Sequence, residues 1–213
     1  MRVHGINEDW RTSRNRVHVF MPDEEDEVEV PVDTPRGAME VAQRCLVLYA
    51  IVGAGHGTSR GDLIYWLKRE SLWNHVSPKE VEFLEAEAPT QKQFFSATWR
   101  VEGLFSLAWS IGLLPDLPPP VQLCDVPFLQ SVLPEHYSPA VEFLSSARLR
   151  DQTTISDANE EVYQIHWAGR NAQRNGKPIP NDYNPGIVFE RHYALNWLIG
   201  YCGQDWDDVM TDT

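Results

Sequence analysis

From Asp33 to Gly203, large apolar residues recur at three- and four-residue intervals. That repeat lines side chains along one face of an α-helix, so this stretch reads as mainly helical. Thr34-Pro35 predicts a cap with a first-turn proline. Met39, Val41, Ala42, Cys45, Leu46, Leu48 and Tyr49 continue the pattern until Gly53 and Gly55 stop it. Ser59 opens a shorter helix through Lys68. Ser77 with Glu80 and Thr90 with Gln93 are capping boxes, in which two side chains satisfy backbone donors that the first helical turn leaves open. The second box starts the longest apolar helix, through Phe94, Trp99, Leu104, Phe105, Trp109 and Ile111. Its apolar residues lie nearly all round, which predicts a central helix.

The run LLPDLPPP cannot stay helical, because each proline lacks a donor and has a fixed torsion, and it predicts a rigid connector. Two short helical pieces follow in CDVPFLQSVLP and SPAVEFLSSA, the second with Ser138 as cap and Pro139 in its first turn. A further helix is expected from about Asp157 to Arg174, ending at Gly176, then a loop, NGKPIPNDYNPG. Asn184-Pro185 opens the last helix, expected to reach about Tyr201 and stop at Gly203. Before Asp33 the pattern changes to alternation in RVHVF and VEVPV around an acidic turn, which fits a short β-hairpin or an extended arm. The expectation is a mainly α chain: one compact multi-helix domain over residues 33–213 with an N-terminal appendage over residues 1–32.

Charge alters this picture in two places. The formal net charge is -13. Asp23, Glu24, Glu25, Asp26, Glu27 and Glu29 form one acidic block, and Asp205, Asp207, Asp208 and Asp212 lie at the other end. No clustered cationic face is visible, which disfavours nucleic acid and anionic membranes, where phosphates must be neutralised. The start MRVHGINEDW has no apolar leader, and CLVLYAIVGAG is too short to span a bilayer, so a soluble cytoplasmic protein is expected. Cys45, Cys124 and Cys202 are far apart, without a CxxC pair, and read as thiols in a reducing compartment.

Three polar constellations carry the candidate chemistry. His166, Arg170 and Arg174 lie one turn apart along one helix face, a stripe that suits either an anion or the acidic tail, the latter through bidentate contacts with Asp205 to Asp208. His192 and Asn196 are also one turn apart, near Glu190 and Trp197. A histidine beside a carboxylate and an amide suits a general base or a buried packing network. Glu102 interrupts the apolar helix on the face of Trp99, while Arg100 points elsewhere. A carboxylate in that setting needs a partner, with His166, Arg170 or Arg191 available. The aspartates of the tail lack the loop of a calcium hand, and GAGHG lacks the lysine and serine of a phosphate-binding loop, so neither metal nor cofactor is assigned.

The segments VAQRCLVLYAIVG, TWRVEGLFSLAWSIGLL, IHWAGRNAQRNGKPIP and NPGIVFERHYALNWLIGYCGQDWDDVMTDT resemble those of the bacterial DUF4272 family, a family of unknown function. The likeness runs from about Asp33 onward. It is most specific at Asn184, Pro185, Gly186, Glu190, Arg191, His192, Asn196, Trp197, Asp205, Trp206, Asp207, Asp208, Thr211, Asp212 and Thr213, where the family likewise carries an NPG, an ERHxALNWL-like helix and a DWDDVxTDT-like tail. It implies a domain assignment and no catalytic residue.

Two function classes follow. One is a protein-binding module, such as an immunity-like inhibitor, whose acidic block Asp23 to Glu29 meets a basic partner. The other is a small-ligand binder or enzyme with a pocket of Trp99, Glu102, His166, Arg170, Glu190 and His192, with Arg191, Asn196 and Trp197 beside it. This second class requires Glu102 or Glu190 within hydrogen-bond reach of His166 or His192. A structural module with a polar core stands beside both. The tail is expected to dock through Trp206, with its aspartates on helix N-termini or arginines. Oligomeric state is left open by the sequence.

Overall fold

The computed structural model describes residues 33–213. The hairpin or arm expected before Asp33, with its acidic block, lies outside the described residues. Within them the chain is helical and contains no strand. The helices are α1 (Ala38–Gly55), α2 (Arg60–Arg69), α3 (Pro78–Glu85), α4 (Gln91–Ser110), α5 (Val126–Val132), α6 (Val141–Ser146), α7 (Gln152–Arg174) and α8 (Pro185–Ile199). Short 3-10 turns at Trp73–His75, Pro180–Asp182, Tyr201–Gly203 and Trp206–Asp208 link or follow them.

Several starts are set by local side chains. Ser59, Thr90, Asp125, Asp151 and Asn184 each accept a hydrogen bond from a first-turn N–H, and Glu80 closes the capping box on the Ser77 N–H at 2.9 Å. Other boundaries differ from the sequence expectation, at Thr34-Pro35 and Ser138 because tertiary contacts claim the backbone donors nearby. Thr34-Pro35 does not start α1, which begins at Ala38 without a side-chain cap. Residues 33–36 are instead held against the end of α8, where the Arg36 N–H donates to Leu198 O at 2.9 Å and its guanidinium to Gln204 O at 2.7 Å. Ser138 does not cap α6, since its hydroxyl donates to Glu135 O and the Ala140 N–H goes to Glu70. Asp151 starts α7 at Gln152, well before the expected Asp157. α8 stops at Ile199, because Gly200 turns left-handed (φ 73°) and a Cβ there would collide with the Thr34 carbonyl.

The architecture is built around α1 and α4, which pack on each other; α8 lies against α4, and α7 covers α8. One apolar cluster joins Leu48 of α1, Leu104 and Leu107 of α4, Ala194 and Leu198 of α8, Ile155 and Val162 of α7, and Trp206 of the tail. A second uses the other side of α1, with Leu46, Val47 and Ile51 against Leu63, Trp66 and Leu67 of α2 and Phe83 and Leu84 of α3. α1 is therefore buried on two sides, which explains why its sequence is apolar nearly all round. It has 18 residues and a mean hydropathy of 1.3, long and apolar enough by composition to cross a membrane. The shorter count from CLVLYAIVGAG missed the start of the helix, and the residues of α1 are mostly buried against the rest of the chain.

Candidate functional site

Where α4 and α8 cross, Glu102 is fully buried. Its Oε2 accepts from Arg191 Nε at 3.2 Å and Nη2 at 3.1 Å, and its Oε1 accepts the Cys124 N–H at 2.7 Å. Arg191 also donates to the Pro118 carbonyl at 2.5 Å, so the proline connector is fastened to the ion pair. Burial, aided by the negative charge of Glu102, pushes the Cys124 thiol up to about 12, a value that keeps it protonated. Of the three partners available in sequence, Arg191 is the one that meets Glu102.

Glu190 points to the other side of α8 and pairs with Arg100 at 3.0 Å. Burial raises its carboxyl above the usual carboxylate range, and the Arg100 charge draws it back. The Arg100 guanidinium also lies 4.7 Å over the Tyr193 ring, a cation–π contact. Trp99 packs its indole on the first turn of α8, where a Cβ on Gly186 would come within 2.6 Å of it. His166 and His192 meet each other, Nδ1 to Nδ1, at 2.8 Å. The expected contact of Glu102 or Glu190 with either histidine is not formed, because the carboxylates are bonded to arginines, the histidines to each other, and all four are buried. The single pocket of Trp99, Glu102, His166, Arg170, Glu190 and His192 is therefore replaced by three separate pairs, with Arg170 exposed on α7.

The tail lies across the other end of this frame. Trp206 is buried, with Tyr193 and Trp197 edge-on at 5.1 and 5.5 Å and the Arg44 guanidinium 4.5 Å over its ring. The Tyr193 hydroxyl donates to the Trp206 carbonyl, and burial pushes that phenol up to about 12. Asp207 sits on the N-terminus of α3, accepting the Lys79 N–H at 2.8 Å and the Ser77 hydroxyl at 2.7 Å, where a carboxylate complements the helix dipole. Asn196 donates to Met210 O at 2.8 Å and accepts from Asn159 of α7, also at 2.8 Å. The His166, Arg170 and Arg174 stripe does not receive the tail, since Trp206 draws Asp207 toward α3, while Arg174, like Arg170, is exposed.

Sequence reasoning missed Arg44, and it set Arg100 apart from Glu102 without naming Glu190 as its partner. Arg44 is buried in α1, its Nη2 donating to both carboxylate oxygens of Glu80 at 2.5 and 2.6 Å and its Nη1 to His75 O at 3.1 Å. The signal was available, because a guanidinium inside VAQRCLVLY breaks an apolar helix as Glu102 does. Two surface clefts flank Trp206. One of about 390 Å³ is lined by Phe83, Gln93, Ser96, Arg100 and Trp206 with Glu82. The other, of about 320 Å³, carries Glu40, Asn74, Asp205 and Asp208. Among the described residues no three His, Cys, Asp or Glu side chains gather as a metal-ligand group.

The profile of a domain family described as a domain of unknown function, DUF4272, matches residues 16–209, nearly the whole chain. The chain belongs to the DUF4272 family. No curated protein and no solved structure matches it. In this DUF4272 chain the ERHY block of α8 and the DWDD block of the tail, far from the α1 arginine in sequence, meet through Tyr193, Trp206 and Arg44.

Proposed function

We propose that this DUF4272 chain is a protein-binding module of the cytoplasm that engages a basic partner, as an immunity-like inhibitor would. The observation that carries the reading is the division of its acids. Glu80, Glu102, Glu190 and Asp207 are committed to internal partners. Asp205 and Asp208 face solvent at the cleft beside Trp206. The block Asp23, Glu24, Glu25, Asp26, Glu27 and Glu29 adds six further charges in sequence. Residues 33–213 alone hold 23 acidic against 14 basic side chains. Surface charge of one sign speeds encounter with the opposite sign and loses that effect in salt. The candidate catalytic groups Glu102, His166, Glu190 and His192 are each bonded within the fold, which supports binding over catalysis.

The test is capture of partners from native lysate with the full chain, followed by association kinetics on any stoichiometric partner. Neutralising the six N-terminal acids, and separately Asp205→Asn with Asp208→Asn, is expected to slow association and flatten its salt dependence. If both sets leave rate and salt dependence unchanged, the acidic-interface reading is wrong. A second reading rests on the cleft of about 390 Å³, which has the size of small-ligand sites and offers Trp206, Phe83 and Arg100 as walls. Native mass spectrometry of the purified chain tests it: a bound small molecule displaced by Ser96→Trp would move the proposal to that cleft.

A further inference from the structure

α7 is seated chiefly on α8 along one seam. Ile155, Asn159, Val162 and His166 follow at helical spacing, so they share one face of α7. Ile155 and Val162 enter the core, Asn159 bonds Asn196, and His166 Nδ1 lies 2.8 Å from His192 Nδ1. The two rings are perpendicular, at 90°, and both are buried. A bond between two Nδ1 atoms has room for one hydrogen: one ring donates it, and the other accepts it while carrying its own hydrogen on Nε2. A first added proton makes one ring an imidazolium that still donates to its neighbour. A second would place a hydrogen on both facing nitrogens, and the bond cannot then persist.

We propose that His166 and His192 form a proton-operated latch, which holds α7 on α8 at neutral pH and loosens it as the solution becomes acidic. The groups around the latch favour the neutral pair. On α7, Arg170 lies one turn beyond His166, and the Tyr163 ring is edge-on to His192 at 5.8 Å. On α8, Phe189 is edge-on to His166 at 6.3 Å, while Glu190 and Arg191 are turned away to Arg100 and Glu102. Tyr183, from the loop before α8, lines a cavity of about 30 Å³ with His166, Arg170 and Gln173, which is room for about one water to carry a proton to the ring. None of the ion pairs among the described residues includes either histidine.

Burial, then the positive charge of Arg170, hold the His166 ring below its ordinary value; burial, then His166, bring His192 down to about 4. Between that value and the ordinary 6.5, an exposed pair binds more protons than the closed one. The contribution of the latch is complete above the ordinary value and is lost as pH falls through that window.

Hydrogen exchange on the full chain at about pH 7.5 and about pH 5, expressed as protection factors, tests this. Protection of the α7 amides is expected to fall about tenfold or more, one pKa unit being a tenfold bias, while α1 and α4 keep theirs. His166→Gln should flatten the pH dependence of α7. An unchanged α7, an equal fall in all three helices, or a His166→Gln variant with the parental pH dependence would each overturn the proposal. Should that variant fail to fold, imidazole nitrogen titration of the unmodified chain decides. Both rings titrating below 6.5 in step with α7 opening support the latch, and titration near 6.5 without opening refutes it.

Discussion

At the residue scale, the Glu102–Arg191 pair shows how burial decides the fate of a charge. Both side chains are essentially inaccessible, so each depends on the other and on the Cys124 N–H and the Pro118 carbonyl to replace water. Glu102→Gln keeps the shape but leaves a buried guanidinium without its counter-charge, and is expected to lower stability by about 3–5 kcal/mol in urea denaturation. A Glu102→Leu, Arg191→Met double variant should recover most of that loss. If Glu102→Gln costs less than about 1 kcal/mol, the pair is solvated in solution. Gly200 is a second such position, where both the left-handed torsion and the approach of Thr34 exclude a side chain. Gly200→Ala should destabilise by more than about 1 kcal/mol, and an unchanged melting temperature would mean that the 33–36 segment is free to move away.

At the element scale, the tail acts as a distributed cap. Asp207 closes α3, Trp206 fills the space among Arg44, Tyr193 and Trp197, and the Met210 carbonyl holds Asn196 of α8. Trp206→Ala is expected to cost about 3–5 kcal/mol, the usual range for emptying a buried aromatic site, and truncation after Gly203 at least as much. Asp207→Asn, which keeps a hydrogen-bonding side chain and removes the charge from the helix N-terminus, should cost about 0.3–1 kcal/mol. Thermal melts that do not separate the truncated from the complete chain would identify the tail as dispensable. The starts of α2, α3, α4 and α8 at Ser59, Ser77, Thr90 and Asn184 were legible from short sequence patterns, because a cap satisfies donors within its own turn. Thr34-Pro35 and Ser138 misled for the complementary reason: the backbone N–H groups two residues on, of Arg36 and Ala140, go to the distant Leu198 carbonyl and Glu70 carboxylate.

At the scale of the whole molecule, both apolar clusters share α1 and reach α4, so neither can dissolve without exposing the other. Urea unfolding followed by tryptophan fluorescence and by far-ultraviolet circular dichroism should therefore give coincident transitions. Two resolved transitions would mean that the α2–α3 side separates from the α7–α8 side.

Helical periodicity, the central place of α4, the need of Glu102 for a counter-charge and the family likeness were determined by the sequence itself, since each depends on residues close in the chain or on the cost of burying one group. Which cation meets which carboxylate was decided by tertiary structure alone. Arg100 and Glu190, Arg44 and Glu80, and the two histidines are 90, 36 and 26 positions apart. Their meetings depend on the angle and register at which helices cross, and these are set by the packing of whole faces, which no local pattern encodes.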